Sequence, residues 1–107
     1  MSGVYVIGVH TTRFQRWPER THKDLVREVV LGALADTGGE LGERVQSQWF
    51  GSCAMHLWGQ SNIGGPVCLT PLVEEGVLPA HVPTYGVEGG CATGSIALQG
   101  AWKDISS

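Results

Sequence analysis

Three stretches rich in β-branched and aromatic residues alternate along this 107-residue chain with three stretches of helical period, and that alternation is the feature that most restricts its fold. Val4-Tyr5-Val6-Ile7-Gly8-Val9 is a near-continuous apolar run, the pattern of a strand covered on both faces. A polar segment from His10 to Phe14 follows and closes at Trp17-Pro18. Thr21 with Asp24 three residues on is a capping-box variant. Behind it Leu25, Val26, Val29, Val30, Ala33 and Leu34 form one helical stripe that Gly38-Gly39 ends. Val45 to Gly51 reads as a second strand, and Ser52 to Gly65 as a loop with room for a helical turn. Pro66 to Glu75 reads as a helix, with Thr70-Pro71 as a cap and first-turn pair and Gly76 as the stop. Val82 to Glu88 is the third strand, entered at Pro83. The apolar positions Ile96, Ala97, Leu98, Ala101, Trp102 and Ile105 then fall mainly on one helical face, with no stop signal before Ser107. The predicted order is β-α-β-α-β-α. It implies an α/β fold with a mostly parallel sheet, helical crossovers and no internal domain boundary.

The junction between the third strand and the third helix carries the sharpest chemical signal. It reads Gly89-Gly90-Cys91-Ala92-Thr93-Gly94-Ser95. Gly89 and Gly90 permit backbone angles and close approaches that residues with side chains resist. A thiol at the start of a helix faces unsatisfied N–H groups and the positive end of the helix dipole. Those donors favour thiolate, and they would also hold an oxyanion formed when sulfur attacks a carbonyl. The residues alone leave two readings open: a catalytic Cys91, or a small cysteine packed in a strand-to-helix turn.

Other motifs fail on particular residues. The glycine spacing of Gly89 to Ser95 suits a phosphate loop, but no Lys stands between Gly94 and Ser95. Gly8 to Arg13 lacks the second and third glycines of a dinucleotide fingerprint, and no Gly-x-Ser-x-Gly elbow occurs. Cys53 and His56 have C-x-x-H spacing with Cys68 further on, but no fourth ligand is paired with them, so no metal site is assigned. His10, His22 and His81 are scattered.

Composition narrows the classes of function. The net charge of −3 is too small, and the 42% apolar content too high, for a disordered tail. No run of about 18 apolar residues suggests a membrane span. A sequence pI near 5.7 argues against nucleic acid as a partner. Arg13, Arg16, Arg20, Lys23 and Arg27 crowd one stretch, interleaved with Glu19, Asp24 and Glu28. That stretch is either a solvated face or one turned toward the phosphates of a nucleotide-bearing cofactor. Three cysteines without a visible secretory signal predict reduced thiols and a cytoplasmic location.

The segment Val87-Glu88-Gly89-Gly90-Cys91-Ala92-Thr93-Gly94-Ser95-Ile96-Ala97-Leu98 resembles the nucleophile segment of thiolases, and its Cys-Ala-Thr-Gly-Ser form is most similar to the sterol-carrier-protein-type branch. Val4 to Phe14, Thr21 to Gly38 and Val45 to Gly51 resemble the family's opening strand, first long helix and second strand, in the family's order. Where the family commonly has asparagine or other polar residues before the cysteine, this chain has Glu88-Gly89-Gly90.

The resemblance implies that residues 1–107 form the N-terminal part of a layered α-β-α-β-α fold, as a truncation or one piece of a split chain, inactive alone. It implies Cys91 as nucleophile, with Gly89, Gly90 and Gly94 supporting the turn and the oxyanion. The implied reaction is thiolytic cleavage of a 3-oxoacyl-CoA, or the reverse Claisen condensation, through an acyl-cysteine. Coenzyme A is then a substrate or cosubstrate, and no cofactor is permanently bound. The catalytic histidines and second cysteine of the family fall beyond the matching stretch. A homodimer with Val82 to Val87 near its interface, served by Trp49, Trp58 and Tyr85, or a companion chain, is the implied assembly. Two further readings stand beside this one: a retro-aldol lyase acting on acyl-CoA, and a non-catalytic subunit that pairs with a fuller chain.

Overall fold

The computed structural model describes residues 3–60 and 63–107. Among them the fold is α/β, with the order α1 (His22–Asp36), β1 (Gln48–Gly51), α2 (Gly64–Glu74), β2 (Thr84–Val87) and α3 (Thr93–Ser106). Short 3-10 turns at Gly42–Arg44, Met55–Trp58 and Gly90–Ala92 link these elements. Strands β1 and β2 pair in parallel, with Gln48 opposite Thr84 and Gly51 opposite Val87. Before the ladder begins, the Gln48 amide donates to the carbonyl of Pro83 at 3.0 Å. Proline at the strand entry therefore loses no ladder bond, since it serves as acceptor only.

The described residues fall into two compact units, one from the stretches 46–67 and 81–107 and the other from 5–45 and 68–80. In the first, α3 packs on the two-stranded sheet, which would be marginal without a covering element. The Trp49 ring lies over Gly100, where any Cβ would overlap it, and stacks on its register partner Tyr85 at 4.5 Å between centroids. One helical turn beyond Gly100, the Asp104 carboxylate accepts from Trp49 Nε1 and from Ser47 Oγ, both at 2.8 Å. A small residue and an acceptor four apart on α3 thus seat the β1 indole.

The second unit holds the core Leu69, Leu72 and Leu78, with Val26, Val30, Val45, Val73 and Val77 packed against it. Helix α1 starts as its sequence specifies. Thr21 Oγ1 accepts from the Asp24 amide and the Asp24 carboxylate accepts from the Thr21 amide, at 3.2 and 2.9 Å. That reciprocal bond lowers the Asp24 pKa from its ordinary value. At the far end the chain turns through Gly38 at φ +79°.

Two expected elements differ. Residues 4–9 form no strand. A strand needs a neighbour for its N–H and C=O groups, and β-branched composition supplies only the extended tendency. The segment instead follows α1. Gly8 lies so close to the Ala33 carbonyl that a Cβ would overlap it, and the Val9 amide donates to the Asp36 carboxylate at 3.0 Å. Tyr5 (75%) and Ile7 (64%) are left exposed.

Thr70-Pro71 likewise does not open a helix: α2 begins at Gly64 and Pro71 lies inside it, although Gly76 ends it as expected at φ +81°. An interior proline costs about 3 kcal/mol. Burying the Leu69 and Leu72 side chains returns roughly 1.5–3 kcal/mol each, and Cys68 is also buried, so the apolar face outweighs the proline.

Candidate active site

Strand β2 ends at Val87, and four residues later Cys91 stands exposed in the 3-10 turn that leads into α3. The turn depends on Gly90, whose φ of +59° lies in the left-handed region where a Cβ is strained. Gly89 has a different constraint: a Cβ there would meet the tip of Ile96. Gly94 has neither a positive φ nor a neighbour within 4 Å of an added Cβ.

The amides around Cys91 are engaged. Gly89 N–H donates to Thr93 Oγ1 at 2.9 Å, and Gly90 N–H donates to the Glu88 carboxylate at 2.6 Å. Ala92 N–H donates to the Gly89 carbonyl, and Thr93 N–H to that of Gly90. Two side chains to which the sequence reading gave no role, Glu88 and Thr93, therefore organise the turn. A hydroxyl two residues after Cys91, at the first position of α3, was the available signal for Thr93. For Glu88 it was an acid two residues before Gly90.

The remaining cysteines separate by environment. Cys53 is exposed; Cys68 is buried in α2, where desolvation pushes its thiol pKa up against the opposing charge of Lys23. His56 lies in the 3-10 turn Met55–Trp58. Among the described residues, no three His, Cys, Asp or Glu side chains are grouped to hold a metal ion. No described helix is long and apolar enough to cross a membrane.

Two residues of the basic stretch, Arg20 and Arg27, are paired with carboxylates. Arg20 pairs with Glu28 at 2.7 Å and lies over the Trp17 ring at 4.8 Å; Arg27 pairs with Glu75 at 2.9 Å. Nε2 of His10 is 2.8 Å from the second Glu28 oxygen. Hydrogen bonds from His10 and then Arg20 hold the Glu28 carboxyl below its ordinary pKa, and Arg27 does the same for Glu75. A groove of about 650 Å³ is lined by His10, Arg20, Asp24, Arg27, Glu28 and Leu31. Its two arginines face three carboxylates if Glu75 is included, so it offers no net positive field to a phosphate.

No family model matches the chain. It is similar over its whole length to the acetyl-CoA acetyltransferase of Methanothermobacter thermautotrophicus, at 30% identity, and to that of Methanocaldococcus jannaschii, at 29%. In each case it spans 26% of the relative's length, about a quarter of the protein it matches.

Proposed function

We propose that the protein acts in thiolase-type acyl transfer, cleaving a 3-oxoacyl-CoA with free CoA or running the reverse Claisen condensation, with Cys91 as nucleophile. The observation that carries this reading is a conjunction. A chain similar along all its residues to two acetyl-CoA acetyltransferases holds an exposed cysteine in the turn between a parallel strand and a helix.

In the proposed reaction the Cys91 thiolate attacks the 3-keto carbon and forms a tetrahedral oxyanion. Collapse breaks the C2–C3 bond. The acyl group stays on sulfur, and the departing thioester enolate takes a proton at C2. The thiol of free CoA then attacks the acyl carbonyl, gives up its proton, and releases the cysteine. Dividing the exchange through an acyl-enzyme replaces one difficult step with two easier ones.

Of the glycines proposed to support the oxyanion, Gly90 offers the accessible amide, because an incoming oxyanion would displace only the carboxylate of an exposed Glu88. The Gly89 amide is committed to a buried hydroxyl. The same reading takes the proton-transfer groups from outside residues 1–107. It assigns no resident cofactor, a subunit contact near Val82 to Val87, a homodimer or companion chain, and a cytoplasmic location.

Product analysis on the intact protein tests the reaction class. Cleavage of a 3-oxoacyl-CoA should consume one free CoA per turnover and fall below about a thousandth of wild type in Cys91→Ser. Cleavage of a 3-hydroxyacyl-CoA to a free aldehyde or ketone and a shorter acyl-CoA, with no free CoA consumed and no cleavage of the 3-oxoacyl-CoA, would replace this reading with an aldol-type lyase.

A further inference from the structure

The turn that presents Cys91 is tied together by one buried side chain. Thr93 is 6% exposed, and its hydroxyl is used in both senses: it accepts from Gly89 N–H at 2.9 Å and donates to the Gly90 carbonyl at 2.7 Å. The Gly90 carbonyl belongs to the peptide plane that carries the Cys91 nitrogen. Holding it sets the plane from which the Cys91 Cα and Sγ project. On its other side, Thr93 Cγ2 faces the end of β1, where a Cβ on Gly51 would stand 2.6 Å away. The side chain therefore joins the turn to the sheet: the methyl fixes Thr93 against β1, and the hydroxyl fixes the turn to Thr93. No other side chain among the hydrogen bonds described for this turn bridges two of its backbone groups; Glu88 takes the Gly90 amide alone.

Resting on the assignment of Cys91 as nucleophile, we infer that Thr93 is the positioning residue of the reaction, orienting the Gly90–Cys91 peptide through its hydroxyl without touching substrate. A nucleophile displaced by about an ångström loses on the order of a hundredfold in rate, because attack depends on a near-aligned geometry. Such a loss falls on the acylation step and leaves substrate binding in place.

The test compares Thr93→Val, which keeps the shape and removes both hydrogen bonds, with Thr93→Ser, which keeps the hydroxyl and removes the methyl. The intact protein is mixed with a 3-oxoacyl-CoA, and acylation is followed by rapid-quench intact mass. Thr93→Val should acylate about 10- to 100-fold more slowly with KM within about threefold, and Thr93→Ser should stay within about threefold of wild type. A Thr93→Val rate equal to wild type, or a Thr93→Ser rate as low as that of Thr93→Val, overturns the inference. Amide exchange at Gly89 in the wild type is a second measurement that does not depend on the variants folding. Protection supports the clamp, and free exchange overturns it. Absence of acylation in the wild type itself would overturn the nucleophile assignment, and this inference with it. That outcome differs from a wild type that acylates and a Thr93→Val variant that matches it.

Discussion

The three glycines nearest Cys91 are expected to respond to substitution in very different ways, because only one has a backbone that demands glycine. Gly90 sits at φ +59°, where an L-residue pays about 1–2 kcal/mol for the contact of its Cβ with the following carbonyl. Asparagine visits this region more readily than alanine, and a β-branched residue least of all. The expected stability order at position 90 is therefore Gly, then Asn, then Ala, then Val, with Gly90→Ala losing about 1–2 kcal/mol. Gly94 has open space around an added Cβ and an ordinary φ near the start of α3. Gly94→Ala should be neutral or stabilising by up to about 0.5–1 kcal/mol, since glycine is a poor helix residue. Gly89→Ala displaces only the flexible tip of Ile96 and should fall between them. Denaturant unfolding of the intact protein, with unfolding slopes compared to verify a common transition, gives the differences directly. A Gly94→Ala loss larger than that of Gly90→Ala, or a Gly90→Val protein as stable as wild type, would refute the backbone argument.

Other parts of the fold make their own predictions. Leu72 is 1% exposed at the centre of its unit, so Leu72→Ala should cost about 2–5 kcal/mol, whereas Thr21→Ala, which opens the capping box, should cost about 1 kcal/mol; equal losses in urea titrations would contradict the burial pattern. Asp24, Glu28 and Glu75 all have folded pKa values held below the ordinary ones, so the unfolded chain takes up their protons first. Their stabilisation is complete above the ordinary carboxylate range and is lost as pH falls through the lowered values. Stability followed from neutrality into acid should fall across that range, and a flat profile would contradict these contacts. With excess iodoacetamide under native conditions, Cys53 and Cys91 should be modified while Cys68 reacts only on unfolding, since it is buried and its thiol pKa is raised; early labelling of Cys68 by peptide mass would contradict its placement.

What the residues revealed in advance follows from how locally each feature is encoded. The capping box of α1, the glycine stops at 38 and 76, and the turn at Gly89-Gly90-Cys91 involve neighbours a few positions apart, and all were readable. The parallel pairing of the second and third apolar runs followed from the helical crossover between them. Residues 4–9 depart from the expected strand because strand formation depends on a pairing edge elsewhere, which composition does not encode. Pro71 lies inside a helix, not at the first turn that Thr70-Pro71 suggests, because the burial of Leu69 and Leu72 on the same helix is not encoded in that local pair. At the site, the placement of Cys91 in a strand-to-helix turn is legible from its neighbours, whereas its exposure is not, since a packed cysteine fits the same motif. The engagement of its neighbouring amides by Glu88 and Thr93 depended on side-chain directions that spacing alone leaves open.

The proposed reaction turns on acylation of Cys91. Incubating the intact protein with a 3-oxoacyl-CoA in the absence of free CoA, then measuring its mass and mapping the modified peptide, tests it most directly. One added acyl group is expected, located on Cys91, removed by CoA and absent from Cys91→Ala. An unmodified protein that still turns over substrate, or an acyl group mapped to another residue, would contradict it.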